Sequence, residues 1–164
     1  ITTKAQPPKP SACWTGLAFA NLPNQQEANM GLYLIEYKQD RHFVLGVKDQ
    51  QDGAAVVLRK KDTPLRYVLW DLNFDTGAIT LNSSGGNLAV GTDRVAPEAL
   101  LSLKVYNPAI QSQRWEFLKS PGFILSLPDN SLCIDNKSRG TSDGNPVWLF
   151  KFNGSPAQHG TSFP

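Results

Sequence analysis

The sequence of 164 residues has no apolar run approaching the roughly 18 residues that a membrane-spanning helix needs. Charge is also scarce: 18% of the residues are charged and the net charge is +2, which is too weakly basic to indicate a nucleic-acid partner. The two histidines, His42 and His159, have no metal ligand at a suitable spacing. Neither a serine nucleophile elbow nor a phosphate-binding glycine loop occurs. We therefore expect no membrane span, metal site, cofactor or catalytic residue.

Cysteine is limited to two residues, Cys13 in a proline-rich segment and Cys133 in a predicted strand. Two cysteines so far apart can tie a loose arm to the body in an oxidising compartment. The alternative is two unrelated thiols, one exposed and one buried. We expect the Cys13–Cys133 disulfide and a secreted or extracellular protein. The chain begins at Ile1 instead of Met, so we also expect a processed N-terminus, although a trimmed chain would look the same.

Residues 1–30 differ in composition from the remainder of the chain. Three prolines lie among the first eleven residues, which is typical of an extended arm. The apolar segment that follows contains Trp14, which we expect to pack on the body. The arm is predicted to be either a linker to another domain or a segment that docks on a protein subunit.

From residue 31 onward, short apolar runs alternate with turns rich in Gly, Asp and Asn. Runs of this length and spacing are typical of an all-β protein, and no segment carries a helical stripe of three turns. We expect twelve strands, at 32–37, 42–47, 54–59, 66–70, 78–81, 87–91, 99–105, 113–118, 123–127, 131–135, 146–152 and 159–163.

The same pattern recurs three times, at a spacing of about 45 residues. The copies cover about 31–74, 75–118 and 119–164, with four strands each. One copy cannot bury its apolar face alone, whereas three copies around a pseudo-threefold axis can. In that arrangement one core layer holds Val56, Leu101 and Val147. The next layer, two residues further along the same strand faces, holds Leu58, Leu103 and Leu149.

Two tryptophans, Trp70 and Trp115, are predicted to fill two of the three lobes from within. The third copy has Gly160 at this position. We therefore expect either Phe163 or Trp14 to pack the last lobe.

The motifs inside the copies carry a resemblance to a known family. The third copy reads Leu132-Cys133-Ile134-Asp135, then Val147-Trp148-Leu149-Phe150, Asn153-Gly154 and Gln158, and the second ends in Gln113-Arg114-Trp115. With these motifs residues 31–164 resemble the ricin-B-type β-trefoil proteins, or R-type lectins, whose repeats end in a Gln-x-Trp motif. The resemblance implies an all-β β-trefoil and a carbohydrate-binding function without enzymatic activity. Each motif is short and weak evidence by itself. The resemblance rests on the recurrence of the motifs with the spacing that the family's repeats have.

In such lectins an aspartate accepts hydrogen bonds from two sugar hydroxyls, and an aromatic ring stacks on the sugar. The aspartate position holds Gly46 in the first copy and Gly91 in the second, so only the third copy keeps an aspartate together with an aromatic residue. The polar residue usual before the Gln is Ala157 here, which indicates an altered pocket. Carried over by position, the resemblance implies a carbohydrate site formed by Asp135, Trp148, Phe150, Asn153 and Gln158.

Each of these residues also has a structural interpretation. Asp135 could bond its own backbone at the end of a strand. Trp148 and Phe150 could pack in the core, although their alternation with two core residues favours the outer face. Gln158 could fix a turn through backbone hydrogen bonds.

We predict a secreted lectin-like module that binds glycans, with galactosides as the first class to test and an affinity on the order of millimolar per site. By family analogy, it would be the cell-surface-targeting subunit of a toxin or a larger assembly. The alternative is a structural or protein-binding β-trefoil, such as an assembly subunit or a protease inhibitor, with decayed sugar sites. Loss of the aspartate in two copies favours this alternative.

Overall fold

The computed structural model of the protein describes residues 17–19 and 30–152. Within these ranges the chain is all-β, and one-turn 3₁₀ helices at Leu65–Tyr67, Asn82–Ser84, Gln111–Gln113 and Lys137–Arg139 lie in the connections. No helix in this part of the chain has the length and apolar character needed to cross a membrane. The strands are β1 (Leu17–Phe19), β2 (Met30–Ile35), β3 (Phe43–Val47), β4 (Val56–Lys60), β5 (Trp70–Asn73), β6 (Ile79–Leu81), β7 (Leu88–Gly91), β8 (Ser102–Val105), β9 (Trp115–Glu116), β10 (Leu125–Ser126), β11 (Leu132–Asn136) and β12 (Val147–Lys151).

The strands form three antiparallel sheets. The order is β1-β2-β5-β6-β7-β8 in the largest, β12-β11-β10-β9 in the second and β3-β4 in the third. The three hairpins β3-β4, β7-β8 and β11-β12 are equivalent, since each pairs the second and third strand of one repeat. Alternate side chains of all three hairpins point into one continuous apolar core.

Backbone hydrogen bonds link these three hairpins around a common axis. The Val56 N–H donates to the Leu101 carbonyl at 3.1 Å, and the Leu101 N–H donates to the Val147 carbonyl at 3.0 Å. The circle closes where the Leu58 N–H donates to the Asn145 carbonyl at 2.8 Å. The first predicted core layer is therefore confirmed. The second is also confirmed, since Leu58, Leu103 and Leu149 are fully buried in the same cluster.

The two predicted tryptophan plugs occupy matching positions. The Trp70 Nε1–H donates to the Leu45 carbonyl at 2.9 Å, and the Trp115 Nε1–H donates to the Val90 carbonyl at 3.1 Å. In both cases donor and acceptor are 25 residues apart, so the first and second repeats make the same hydrogen bond at equivalent positions. Position 160, its third counterpart, lies outside the described residues, as do Trp14 and Phe163.

The glutamine of the Gln-x-Trp motif has a structural role in the second repeat. Gln113 is buried, its Oε1 accepts the Asn107 N–H at 2.9 Å, and its Nε2 donates to the Val105 carbonyl at 3.1 Å. These two bonds hold the turn between β8 and β9. In the first repeat the position is taken by Val68, which is fully buried and makes no such bridge.

The strand predicted at 113–118 is shorter in the structure, where Gln113 belongs to the 3₁₀ helix Gln111–Gln113 and β9 covers only Trp115–Glu116. Two larger differences occur in the described chain. Residues 66–70 were predicted to be extended, but Leu65–Tyr67 is a 3₁₀ helix and β5 begins only at Trp70. The reason is local, because the N–H groups of Tyr67 and Val68 bond to carbonyls three residues earlier. The second difference is β1, a strand inside the arm that the sequence pattern did not predict. The strand predicted at 159–163 and the repeat boundaries stay predictions.

Candidate functional site

Three of the five predicted carbohydrate-binding residues lie together on the β11-β12 hairpin. Asp135 pairs with Trp148, and Phe150 pairs with Cys133, in one antiparallel register. The hairpin therefore brings Asp135, Trp148 and Phe150 to the same face, as expected from their spacing. Asn153 and Gln158 lie outside the described residues, so their place in the site stays a prediction.

Trp148 and Phe150 form a stacked aromatic pair on the outer face. Their ring centroids are 5.7 Å apart and the ring planes differ by 13°. Both side chains are partly exposed. Val147 and Leu149, which alternate with them along β12, are fully buried. The predicted outward orientation is therefore confirmed. Such a surface offers the flat apolar contact that the C–H face of a sugar requires.

Lys137 approaches Trp148 from the other end of the hairpin. Its Nζ lies 5.4 Å from the Trp148 ring centroid, within the range of a cation–π contact. The Lys137 N–H donates to the carbonyl of Pro146, the residue just before β12. Lys137 therefore lies near the start of β12, on one side of Trp148, and Phe150 lies on the other side. The aromatic pair thus has a positive charge beside it.

Asp135 is buried beneath this aromatic pair. Its side chain has 0% exposure, and its Oδ2 accepts a hydrogen bond from the Trp148 Nε1–H at 2.6 Å. This hydrogen bond fixes the orientation of the indole. In this geometry a sugar hydroxyl reaches the Asp135 carboxylate only if the indole turns away.

Asn136, which is buried, and Asn145, which is half-buried, hold the loop that follows Asp135. The Asn136 Nδ2 donates to the Gly140 carbonyl at 2.7 Å, and the Asn145 Nδ2 donates to Asn136 Oδ1 at 2.8 Å and to the Lys137 carbonyl at 2.9 Å. Inside the loop Ser138 has φ 53° and Arg139 has φ 55°, left-handed conformations that non-glycine residues rarely adopt. The asparagine clamp offsets this strain and positions Lys137 next to Trp148.

Tyr37 connects the clamp to the first repeat. It hydrogen-bonds Asn136, and burial raises the pKa of its phenol, with the nearby Asp135 charge acting in the same direction. The Tyr37 side chain is almost fully buried, at 1% exposure. The phenol therefore remains neutral at ordinary pH and serves as a hydrogen-bonding link between the first and third repeats.

The equivalent positions in the other two repeats lack the elements of this site. Phe150 is replaced by Arg59 in the first repeat and by Lys104 in the second, as the strand registers show. A Cβ at Gly46 would lie 2.5 Å from Arg59 Cγ, and one at Gly91 would lie 3.0 Å from Lys104 Cγ. The stems of these two basic side chains thus cover the space that an aspartate would need.

Sequence reasoning missed several contributors to the site. Neither Lys137 nor the Asn136–Asn145 clamp was predicted, although the Asn145-Pro146 dipeptide is a recognised turn signal. Leu100, which is 57% exposed, bridges to Trp148 and extends the apolar surface. No group of three potential metal ligands occurs within residues 17–19 and 30–152.

Cys133 lies fully buried on β11, opposite Phe150 in the register. It packs in a second apolar cluster with Phe123, Leu125 and Phe152. Cys13 is outside the described residues, so its pairing with Cys133 stays a prediction.

Comparison with known proteins identifies the fold. No family model matches the sequence, and no curated protein matches it. The C-half of an earthworm R-type lectin, solved with GalNAc, covers 76% of this chain and 92% of its own, at 16% identity and TM-score 0.62. A mosquitocidal holotoxin covers 81% of this chain at 21% identity and TM-score 0.65, and the match spans 17% of the holotoxin chain. The designed threefold-symmetric protein ThreeFoil covers 71% of this chain and 86% of its own, at 18% identity and TM-score 0.58. These likenesses confirm the β-trefoil fold.

Proposed function

We propose that this protein is a carbohydrate-binding module whose contact surface is the outer face of the β11-β12 hairpin. The observation that carries the proposal is the stacked Trp148–Phe150 pair, partly exposed at the position where the family resemblance implies a sugar platform. The earthworm lectin of the same fold was solved with GalNAc, which makes galactosides the first ligands to test. A binding role without catalysis is part of the proposal.

The chemistry of the surface fits a sugar. A pyranose presents an apolar C–H face that stacks on an aromatic ring, and hydroxyls that need hydrogen-bond partners. Phe150 supplies a ring face, and Trp148 extends it. Asp135 holds the indole in place, and it becomes an acceptor for sugar hydroxyls if the indole turns.

Among the three described hairpins only β11-β12 carries this surface, so the proposal predicts one binding site on the part of the chain that the structure describes. We expect a dissociation constant on the order of millimolar, or about −4 kcal/mol. Useful avidity then requires several copies or attachment to a larger assembly. The proposed context is the surface-targeting subunit of a secreted toxin, in line with the trefoil match inside the holotoxin chain.

A glycan array probed with the full chain, followed by calorimetric titration with methyl galactoside and GalNAc, tests the proposal. Trp148→Ala and Phe150→Ala should each weaken binding at least tenfold. Lys104→Ala is the matched control, because Lys104 occupies the place of Phe150 in the second repeat and should leave binding unchanged. Wild-type affinity in both aromatic variants would move the site elsewhere.

Substitutions of Asp135 separate its two roles. Asp135→Asn retains an oxygen acceptor for the Trp148 indole, so binding should persist if the carboxylate only orients the ring. Asp135→Ala should abolish binding in either role. Loss of binding in Asp135→Asn, with its fold intact by circular dichroism, would assign Asp135 a direct contact with sugar hydroxyls.

The rival proposal is a β-trefoil that binds a protein partner and has lost its sugar sites. It is favoured by the covered positions Gly46 and Gly91 and by the burial of Asp135. If the array shows no binding at millimolar glycan while the native chain copurifies tightly with another subunit, the rival is correct.

A further inference from the structure

The strand β1 in the N-terminal arm occupies a specific place in the trefoil. It pairs antiparallel with β2, setting Leu17 opposite Ile35, Ala18 opposite Leu34 and Phe19 opposite Tyr33. Tyr33 pairs on its other edge with Trp70 of β5. The arm therefore lies along the free edge of the first strand of the first repeat.

The first strand of the second repeat shows what normally fills that edge. There Ile79 lies opposite Leu72, and Leu81 lies opposite Trp70, so the edge is taken by the last strand of the preceding repeat. The other edge of this strand faces Trp115, whose N–H donates to the Gly77 carbonyl at 2.8 Å. β2 has the same arrangement: the arm strand lies along one edge, and Trp70 of its own repeat lies along the other.

The third repeat repeats the arrangement. Leu125 of β10 lies opposite Glu116, and Ser126 lies opposite Trp115, so the next antiparallel position sets Ile124 opposite Phe117. The equivalent inner residues are Ile35, Ile79 and Ile124, all buried in the one core. Their edge partners are residue 17 in the arm, Leu72 at the end of the first repeat and Phe117 at the end of the second.

By the period of the chain, the last strand of the third repeat should fill the edge of β2. Its residues at the positions of Trp115 and Phe117 are Gly160 and Ser162, neither of which offers an apolar side chain. The arm offers Leu17 in the register of Leu72. Full burial of a leucine side chain, as at Leu72, contributes roughly 1.5–3 kcal/mol, whereas glycine and serine contribute little.

We propose that the N-terminal arm supplies the closing strand of the third lobe, in the place that the C-terminal strand of the third repeat would take. The edge of β2 at Tyr33–Ile35 is thus a strand-accepting surface, and its occupant is the segment Leu17–Phe19 of the same chain. This assigns that part of the arm to the trefoil body instead of to a linker.

Matched substitutions in the full chain test the proposal. Leu17→Asp places a charge in the closing strand and should lower the urea midpoint, in the same direction as Leu72→Asp at the equivalent site. Ser162→Asp alters the counterpart in the third repeat and should leave the midpoint unchanged. A large loss in Ser162→Asp with no loss in Leu17→Asp would overturn the assignment.

Hydrogen exchange on the wild-type protein gives a second readout that needs no variant to fold. The hydrogen-bonded amides within 17–19 and 33–35 should be protected at least a hundredfold over unstructured peptide, and they should exchange together as one unit. Exchange of residues 17–19 at the unstructured rate would contradict the proposal, whatever the result of the glycan measurements.

Discussion

At the scale of single residues, the core of each lobe depends on a tryptophan that is both apolar filler and hydrogen-bond donor. Trp70 and Trp115 are buried, and each donates its indole N–H to a carbonyl of the second strand of its repeat. A buried indole is tolerated when its N–H finds a partner. The same residue therefore joins the last strand of a repeat to the second.

Replacement of Trp115 by phenylalanine tests this double role. Trp115→Phe keeps most of the apolar volume but leaves the Val90 carbonyl without its donor, so we expect a loss of about 1–3 kcal/mol in the free energy of unfolding. Urea denaturation measures it. Leu118→Ala, at a side chain that is 68% exposed, is the control and should change the stability by less than about 0.5 kcal/mol. Equal effects of the two substitutions would contradict this role.

Asp71 gives the molecule a pH dependence of unusual sign. Burial raises its pKa above the ordinary value of 3.8, and the hydrogen bond from Asn82 only partly opposes this. The folded protein therefore holds the Asp71 proton more tightly than the unfolded chain does. Its contribution to stability is complete below 3.8 and is lost as the pH rises through the raised pKa.

Asp71→Asn should therefore raise the melting temperature at neutral pH and have little effect at low pH. Melting curves recorded across the acid range measure this. Asp129 provides a control of opposite sign, since hydrogen bonds from the Ser131 hydroxyl and N–H lower its pKa. Asp129→Asn should lower the melting temperature at neutral pH and lose its effect as the pH falls. A lower melting temperature of Asp71→Asn at neutral pH would contradict the assignment.

At the scale of elements, turns decide how closely the repeats approach each other. Gly77 precedes β6 with φ +78°, and a Cβ there would lie 2.4 Å from the Trp115 carbonyl oxygen. The Trp115 backbone cannot move aside in the way that the end of a flexible side chain can. This glycine therefore permits the hydrogen bond between the Trp115 N–H and the Gly77 carbonyl that joins the start of one repeat to the end of the same repeat.

Gly77→Ala should cost at least about 2 kcal/mol, because it combines a left-handed conformation with a backbone clash. Gly85 is the matched control, since it has φ +66° but nothing within 4 Å of its would-be Cβ. Gly85→Ala should cost about 1 kcal/mol, the conformational term alone. Chemical denaturation of both variants measures the difference, and equal losses would remove the clash from the explanation.

The elements also show which features of the strands the sequence could predict. Burial alternation within a strand was predicted well, whereas local turns and pairing with distant strands were predicted less well. The alternation around Val147 and Leu149 placed the core and outer faces correctly, because period-two burial is a local property. Residues 65–67 curl into a 3₁₀ helix, because local backbone hydrogen bonds compete with extension there. The strand Leu17–Phe19 could not be predicted from its own residues, because its formation depends on an edge that is distant in sequence.

The shared face of three of the five candidate residues was predicted from the sequence, whereas the contacts between them were not. Asp135, Trp148 and Phe150 do share one face, which their spacing on adjacent strands required. The bond from the Trp148 indole to Asp135 could not be read from the sequence, because it depends on the rotamer of a single side chain. The Asn136–Asn145 clamp could not be read from the sequence either, because its two asparagines lie on opposite sides of a loop.

At the scale of the whole molecule, three imperfect repeats share one core, and each has drifted in its own way. The second keeps the tryptophan motif, the first replaces its glutamine by Val68, and the third keeps the aspartate and the aromatic pair. The core layers around the axis are alike in all three, since a lone repeat cannot bury its apolar face. Differences occur at buried positions, such as Gln113 and Val68, and also on the outer face, where the third repeat has Trp148 and Phe150.

The proposed Cys13–Cys133 disulfide belongs to this scale, because it would tie the arm to the third repeat. A count of free thiols on unfolded, unreduced protein should give none, since the cross-link consumes both cysteines. Reduction should then lower the melting temperature, because the released arm gains conformational freedom in the unfolded chain. Two free thiols would end the proposal.

The central functional claim is that the outer face of the third-repeat hairpin binds sugar. The most direct test is a titration of the ¹⁵N-labelled full chain with methyl galactoside, following the four indole N–H signals by nuclear magnetic resonance. The account predicts that the Trp148 signal shifts with a millimolar dissociation constant while those of Trp70 and Trp115 remain in place. An unmoved Trp148 signal at saturating galactoside and GalNAc would contradict it.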